Sequence, residues 1–391
     1  MTPAFDLVVH GASGFTGRLV VEVLLQRRAA GSTLRWAMSG RSATRLAAVR
    51  DELGAPADTP LIVTDSDDPA SLRALVAQTR LVLTTVGPYQ LYGNELVAAC
   101  AAAGVDYVDL CGEPAWMRQM IDAHHATAQA SGARIVFSCG FDSIPFDLGV
   151  WRLQQEMQAR FGSPAPRVRG RVRKMKGTFS GGTAASLKAT MAAAGADPGV
   201  MALLRDPFSL TPGFAGPRQP SGAKPMVDEV LGLWVAPFVM AAINTRNVHR
   251  TNFLLGHPYG SDFVYDEMMI TGSGEKGEAI ANAVAADRSL GAEGGPQPGE
   301  GPSREEREAG FYDLLFIGTG ADGQTLRIGV KGERDPGYGS TSRMIAEAAA
   351  CLLQDAAGTP GGIWTPAAAM GERLIQRLQQ NAGLQFAVET A

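Results

Sequence analysis

The sequence has no closely spaced pair of cysteines: Cys100, Cys111, Cys139 and Cys351 are the whole complement and lie far apart. That spacing excludes a disulfide framework and a thiolate metal site, and it fits a reducing compartment. An excess of positive charge is also missing, since 35 Lys and Arg stand against 39 Asp and Glu for a formal net charge of -4. Long-range attraction for nucleic acid or an anionic membrane is therefore absent, and a small-molecule partner is favoured over nucleic acid. The five histidines include the adjacent pair His124 and His125. Neighbouring residues diverge around a helix, so no metal site is predicted. The apolar stretch Val230 to Ile243 is too short to span a bilayer and carries Pro237 in its middle. It reads as buried core, with an apolar substrate tunnel or a surface resting on lipid as the other readings. Met1-Thr2-Pro3-Ala4 runs straight into an apolar strand without the marks of an export signal, which points to the cytoplasm.

What the sequence does have is length and apolar content. At 391 residues and 45% hydrophobic, it exceeds what one core holds, so two domains are expected. From Phe5 to Cys139, short apolar runs alternate with amphipathic stretches. Phe5 to His10, Leu34 to Ser39, Leu61 to Thr64, Leu81 to Val86, Tyr107 to Leu110 and Arg134 to Ser138 read as buried strands of a parallel sheet. Arg18 to Arg27, Ser71 to Ala77, Glu95 to Ala103 and Ala115 to Ala130 read as its covering helices. The fold class is α/β, a Rossmann-type doubly wound sheet, followed by an α+β second domain.

Asp147 to Arg160 reads as a linking helix and Arg167 to Phe179 as a long strand leading into the turn Ser180-Gly181-Gly182. Thr183 to Ala194 follows as a helix, and Phe253 to Thr271 is strand-rich. Phe311 to Gly318 and Gln324 to Val330 form a hairpin around Ala321-Asp322-Gly323. Residues Gly291 to Arg307 are so rich in Gly, Pro and Glu that they read as a mobile surface loop, with a lid as the second reading.

The strongest motif is Gly11-Ala12-Ser13-Gly14-Phe15-Thr16-Gly17, set between a strand and a helix. A diphosphate needs main-chain amides without Cβ obstruction and the positive end of a helix, and Gly11, Gly14 and Gly17 supply both conditions. Ser13 and Thr16 add hydroxyl donors. The second strand ends in Ser39-Gly40-Arg41-Ser42, where a fold selecting NAD carries an acidic residue. Arg41 pairs with a ribose 2′-phosphate there and Ser39 or Ser42 donates to it, so NADP is the expected cofactor. Asp65 borders the adenine at the end of the third strand. Thr85, Val86, Gly87 and Pro88 close the fourth strand at the edge where such sheets bind ligands. Tyr89 is either a wall of the hydride pocket or its proton donor, with no Lys or His beside it in sequence to lower its pKa. Cys111-Gly112-Glu113 and Gly140 to Pro145 face the same crevice from later strand ends.

Arg167, Arg169, Arg171 and Arg173 alternate and so share one strand face. That face is either solvated or a cradle for an anionic carrier group such as phosphopantetheine. Lys174, Lys176 and Lys188 lie in no diagnostic motif.

Taken together, Gly11 to Gly17, Ser39 to Ser42, Thr85 to Tyr89, Gly140 to Asp147, Ser180 to Thr183 and Asp335 to Arg343 resemble the saccharopine dehydrogenase-like oxidoreductases, in particular their trans-acting enoyl reductase branch. The resemblance implies a dinucleotide-binding domain over 1–147 completed by C-terminal helices within 338–391, Thr341 to Asp355 and Pro366 to Gln379. A substrate and dimerisation domain is implied over 148–337, giving a homodimer. It further implies an NADPH-dependent reductase of an enoyl group on a lipid-like or polyketide acyl chain, with Tyr89 or water as proton donor. Reduction of an amino acid or imine, or NADP binding without turnover in a lipid-associated protein, are the rival expectations.

Overall fold

Leu7, Val8 and Val9, and again Leu81, Val82 and Leu83, are fully buried. Strands apolar on both faces need cover on both, which a parallel sheet receives from its crossover helices. The computed structural model, which describes residues 3–178, 181–287, 289 and 299–390, has this arrangement.

Its first half runs β1 (Phe5–His10), α1 (Phe15–Ala29), β2 (Trp36–Gly40), α2 (Ala43–Glu52), β3 (Leu61–Val63), α3 (Pro69–Val76) and β4 (Thr79–Thr84). There follow α4 (Tyr89–Tyr92), α5 (Asn94–Ala103), β5 (Asp106–Val108), α6 (Pro114–Ser131), β6 (Arg134–Val136) and α7 (Ile144–Phe161). The second half has β7 (Arg167–Lys176), α8 (Gly181–Ala196), α9 (Pro198–Arg205), β8 (Met226–Val227), β9 (Trp234–Pro237), α10 (Ala241–Leu254), β10 (Val264–Gly272) and α11 (Gly274–Ala286). The chain closes with α12 (Arg304–Glu308), β11 (Phe311–Thr319), β12 (Thr325–Glu333), a π turn (Pro336–Ser340), α13 (Thr341–Gln354), β13 (Gly362–Trp364), α14 (Pro366–Asn381) and β14 (Leu384–Glu389).

Seven parallel strands make the first sheet, in the order β13-β6-β5-β4-β1-β2-β3. The order reverses between β1 and β4, and the crevice beyond their carboxyl ends is where such sheets bind ligands. The second sheet is mixed, in the order β14-β12-β11-β7-β10-β9-β8. The α/β class with a separate second sheet is as expected from the sequence.

Several local expectations fail. Residues Phe253 to Thr271 are not strand-rich throughout: α10 continues to Leu254 and the strand begins only at Val264. Of the stretch 291–307, the part to Pro298 lies outside the described residues, as do Phe179 and Ser180. The rest is not featureless, because Ser303 and Glu306 form a capping box that starts α12. The C-terminal segment also divides: β13 pairs with β6 in the first sheet, but β14 pairs with β12 in the second. Val230 to Ile243 splits into β9 and the start of α10, with Val235 and Ala236 buried while Val239 is 51% exposed. Among the described residues no helix is long and apolar enough to cross a membrane.

The alternating arginines of β7 form neither a solvated face nor an open cradle. Arg171 is 3% exposed and pairs with Asp228 at 2.7 Å and Asp266 at 2.8 Å. Arg167 also pairs with Asp266, Arg169 with Glu229, and Arg173 with Asp313 and Glu389. Because buried charge is costly unless paired, this ladder is a structural element of the second sheet. Replacing Arg171 by Met leaves Asp228 and Asp266 short of a counter-charge and is expected to lower the unfolding free energy by about 3–5 kcal/mol. The exposed Arg41→Met should cost less than about 0.5 kcal/mol. Urea denaturation of both variants checks the contrast, and equal midpoints would refute a structural role for the ladder.

Candidate functional site

The chain leaves β1 through Gly11, whose φ of +87° disfavours any side chain. A Cβ there would stand 2.8 Å from Val86 Cγ2 and 2.9 Å from Thr85 Oγ1. One at Gly17 would lie 2.1 Å from the Gly11 carbonyl oxygen. Main chain thus packs directly on main chain, with the Gly11 and Ala12 amides donating to the Ser39 carbonyl at 2.9 and 3.0 Å. Gly14 donates back to the Gly11 carbonyl at 2.9 Å and is the N-cap of α1, with no side-chain cap. The amides of the first turn, Phe15 to Gly17, have no intrahelical acceptor and no capping side chain competes for them, which is the condition for binding a diphosphate. Ser13 Oγ sits beside Gly40, 3.4 Å from the position of a Cβ there. Thr16 lies within the same turn, while the Phe15 ring turns to an edge contact with Tyr338, with Arg307 5.7 Å from its centroid.

At the end of β2 the three expected phosphate contacts separate. Ser39 is buried and its Oγ faces His10 Nδ1 at 3.2 Å, so its hydroxyl is engaged inside. Ser42 accepts from the Arg45 amide at 3.3 Å as the cap of α2. Arg41 is exposed and has no hydrogen bond or ion pair among the described residues. Asp65 is exposed and accepts from the Asp67 amide at 3.1 Å. His10 itself was not singled out from sequence. Its Nε2 meets Ser66 Oγ at 3.0 Å, so one imidazole ties the ends of β1, β2 and the turn after β3. Burial pushes its pKa down to about 4, against a weaker upward pull from Asp65. A histidine at the end of the apolar run Leu7 to Val9 was the available signal.

Beyond β4, Thr85 donates its amide to the His10 carbonyl at 3.1 Å and its Oγ1 to the Gly11 carbonyl at 3.4 Å, while Val86 donates to Thr84 Oγ1 at 3.2 Å. Gly87 is exposed, its Cβ position lies 3.8 Å from Ser186 Oγ of α8, and its peptide bond to Pro88 is cis. Tyr89 is 5% exposed and packs on Trp116, accepting from the Leu110 amide at 3.0 Å and donating to the Thr84 carbonyl at 3.4 Å. Burial and the nearby Asp109 and Cys111 hold its pKa well above the usual tyrosine value. With its hydroxyl committed to the main chain, Tyr89 suits packing and not proton donation. Glu113 is buried and accepts from the amides of Tyr89 and Gln90, both at 2.9 Å, and from Gln90 Nε2 at 3.0 Å. Gln90 Nε2 also reaches Thr190 Oγ1 of α8 at 3.1 Å, joining the two domains across the crevice.

The turn after β6 brings in a polar cluster. Asp142 Oδ1 is buried without a hydrogen-bond partner, and burial lifts the carboxyl to about 7. Ser143 Oγ receives Asn247 Nδ2 at 2.8 Å from α10. On β10, Glu267 accepts from Asn244 Nδ2 at 2.9 Å and Tyr265 OH at 2.8 Å. Burial, with Asp142 adding to it, holds Glu267 well above the usual carboxylate range. The Oδ1 atoms of Asn244 and Asn247 are likewise buried and unpartnered. The second-domain members of this cluster lie about a hundred residues or more from Asp142 in the chain and carry no sequence motif.

Residues 7–136 match the family model described as the saccharopine dehydrogenase NADP-binding domain. A protein described as a putative trans-acting enoyl reductase of Mycobacterium tuberculosis is 40% identical, covering 96% of this chain and 95% of its own. A trans-acting enoyl reductase of Mycobacterium bovis is 38% identical over 97% of both. The chain belongs to the trans-acting enoyl reductase family. Its fold is that of the saccharopine dehydrogenases: the L-Glu-forming enzyme of Saccharomyces cerevisiae aligns over 99% of this chain and 100% of its own, with a TM-score of 0.59 at 11% identity. The homospermidine synthase of Legionella pneumophila, solved with NAD, aligns over 99% and 91% with a TM-score of 0.56 at 10% identity. The glycine turn lies inside the matched domain of this family member, and a nicotinamide coenzyme fits it. Gly17→Ala forces the Gly11 carbonyl aside and is expected to weaken coenzyme binding at least about tenfold and lower Tm by several degrees. Gly358→Ala, with nothing within 4 Å of its new methyl, should change neither. Fluorescence titration and thermal melts of the two variants decide the matter, and an unaltered Gly17→Ala protein would refute the close approach.

Proposed function

We propose that this chain is an NADPH-dependent reductase of an enoyl group carried on an acyl chain. The observation that supports the coenzyme reading is Arg41, without a partner among the described residues, together with the uncapped start of α1; the trans-acting enoyl reductase relatives support the substrate class. The first-turn amides of α1 hold the diphosphate, and Arg41 takes the 2′-phosphate with its planar fork. Thr85 to Pro88 border the nicotinamide ribose. When bound there, NADPH would supply the hydride for the β carbon.

The α carbon then requires a proton, and Asp142 is our assignment for its donor. A carboxyl near 7 is still partly protonated at neutral pH, and Oδ1 is free of competing bonds. Asp142 would give its carboxyl proton to the α carbon, and solvent would restore it. Glu113 holds the 88–90 turn still while α8 covers it.

Arg41→Ala should raise the NADPH Kd about ten- to hundredfold and leave that for NADH nearly unchanged. Direct titration measures this, and equal losses for both coenzymes would remove Arg41 as the selector. Turnover of enoyl thioesters, followed as NADPH absorbance, should fall as pH rises through about 7, because a proton donor is lost when it ionises. Asp142→Asn should abolish that turnover while NADPH still binds. A full panel of chain lengths giving no oxidation, with turnover on an imine or keto acid instead, would overturn the enoyl assignment.

A further inference from the structure

The block Asp335 to Arg343 touches the site above through the Tyr338 ring against Phe15, and it also lines a second cleft. Residues Leu19, Glu22, Val23 and Gln26 recur along one face of α1, and opposite them stand Arg304, Arg307 and Glu308 of α12, with Arg334, Gly339, Ser342 and Arg343. Three of the four arginines are accounted for. Arg304 pairs with Glu22, and Arg334 lies 3.4 Å from Glu308. Arg307 donates to the Pro302 carbonyl at 2.6 Å and lies near Asp335, which accepts the Tyr338 and Gly339 amides.

Arg343 differs: although half-buried, it makes no hydrogen bond or ion pair among the described residues. Burial and the neighbouring Arg334 and Arg27 press its pKa below the usual arginine value, against weaker upward pulls from Glu333 and Glu22. A desolvated guanidinium without a counter-ion is costly, and one fork after another facing a single cleft matches tetrahedral oxyanion geometry. Arg334 is held there by a left-handed backbone, φ +72°, a conformation that non-glycine residues adopt at a cost. The cleft is open to solvent on one side and has water-accessible space of about 30 Å³, more than the ~10–15 Å³ that one water requires.

We propose that the cleft between α1, α12 and the start of α13 is a second anion site, taking a single phosphate group, free or as a terminal ester, with Arg343 as its principal ligand and Arg334 beside it. The site is independent of the enoyl assignment and meets the glycine turn only where Arg307 lies over the Phe15 ring. Its test is calorimetric titration of the full chain with inorganic phosphate and, in parallel, glycerol 3-phosphate, both at saturating NADP⁺ so that the coenzyme site cannot contribute. Wild type should bind one equivalent. Binding of both probes marks a site open to esters, and binding of inorganic phosphate alone marks one for the free ion. Arg343→Met should weaken binding at least about tenfold with NADP⁺ affinity unchanged. Glu308→Gln, which releases Arg334, should tighten it about two- to fivefold, a gain that misfolding cannot mimic. No phosphate binding at saturating NADP⁺, or binding indifferent to both substitutions, would overturn the proposal. NADP⁺ titrated alone reports separately on the coenzyme reading.

Discussion

The close approach of Gly17 to the Gly11 carbonyl is the constraint on which the rest of the molecule hangs. With no Cβ on either residue, α1 can start directly on the end of β1, and its first amides point outward because no side chain caps them. The strand ends around it are then drawn into one rigid edge. Ser39 receives the Gly11 and Ala12 amides, Thr85 bonds to the His10 and Gly11 carbonyls, and the His10 ring links Ser39 to Ser66. That imidazole stays neutral because it is buried, which keeps a positive charge out of the sheet and leaves the helix end as the source of positive potential for a diphosphate.

The arginines of this chain differ in how they are paired. Arg171 sits between two carboxylates and is sealed into the second sheet, and its three neighbours on β7 are each matched by acidic side chains. Arg41 and Arg343 are the contrast, one exposed and one half-buried, and neither has a protein partner among the described residues. Paired guanidinium groups tie β7 to its neighbours, whereas the donors of an unpaired guanidinium remain free.

The crevice between the domains is polar where chemistry is expected and tied where it must not move. Glu113 fixes the turn after β4 through two amides, and Gln90 carries the link on to Thr190 of α8. Across from it, Asp142 and Glu267 come from different domains, and burial favours the proton on each. Asp142, lifted to about 7, still holds its proton in part at neutral pH.

Read locally, the sequence was enough for the alternation of strands and helices, the glycine turn and the guanidinium after β2. All three depend on contacts within a few residues or on a repeating period that burial on both faces imposes. It was also enough to see β7 and the β11–β12 hairpin. Tertiary structure alone decided that Tyr89 is packed and bonded to the main chain, that Ser39 faces inward, that the β7 arginines are neutralised, and that β14 crosses to the second sheet. It also decided that Arg343 has no hydrogen bond or ion pair among the described residues. Each of these depends on partners far along the chain, such as Asp266 for Arg171 or Leu110 for Tyr89. Burial and charge pairing belong to the assembled core, and no local pattern encodes which distant side chain will arrive.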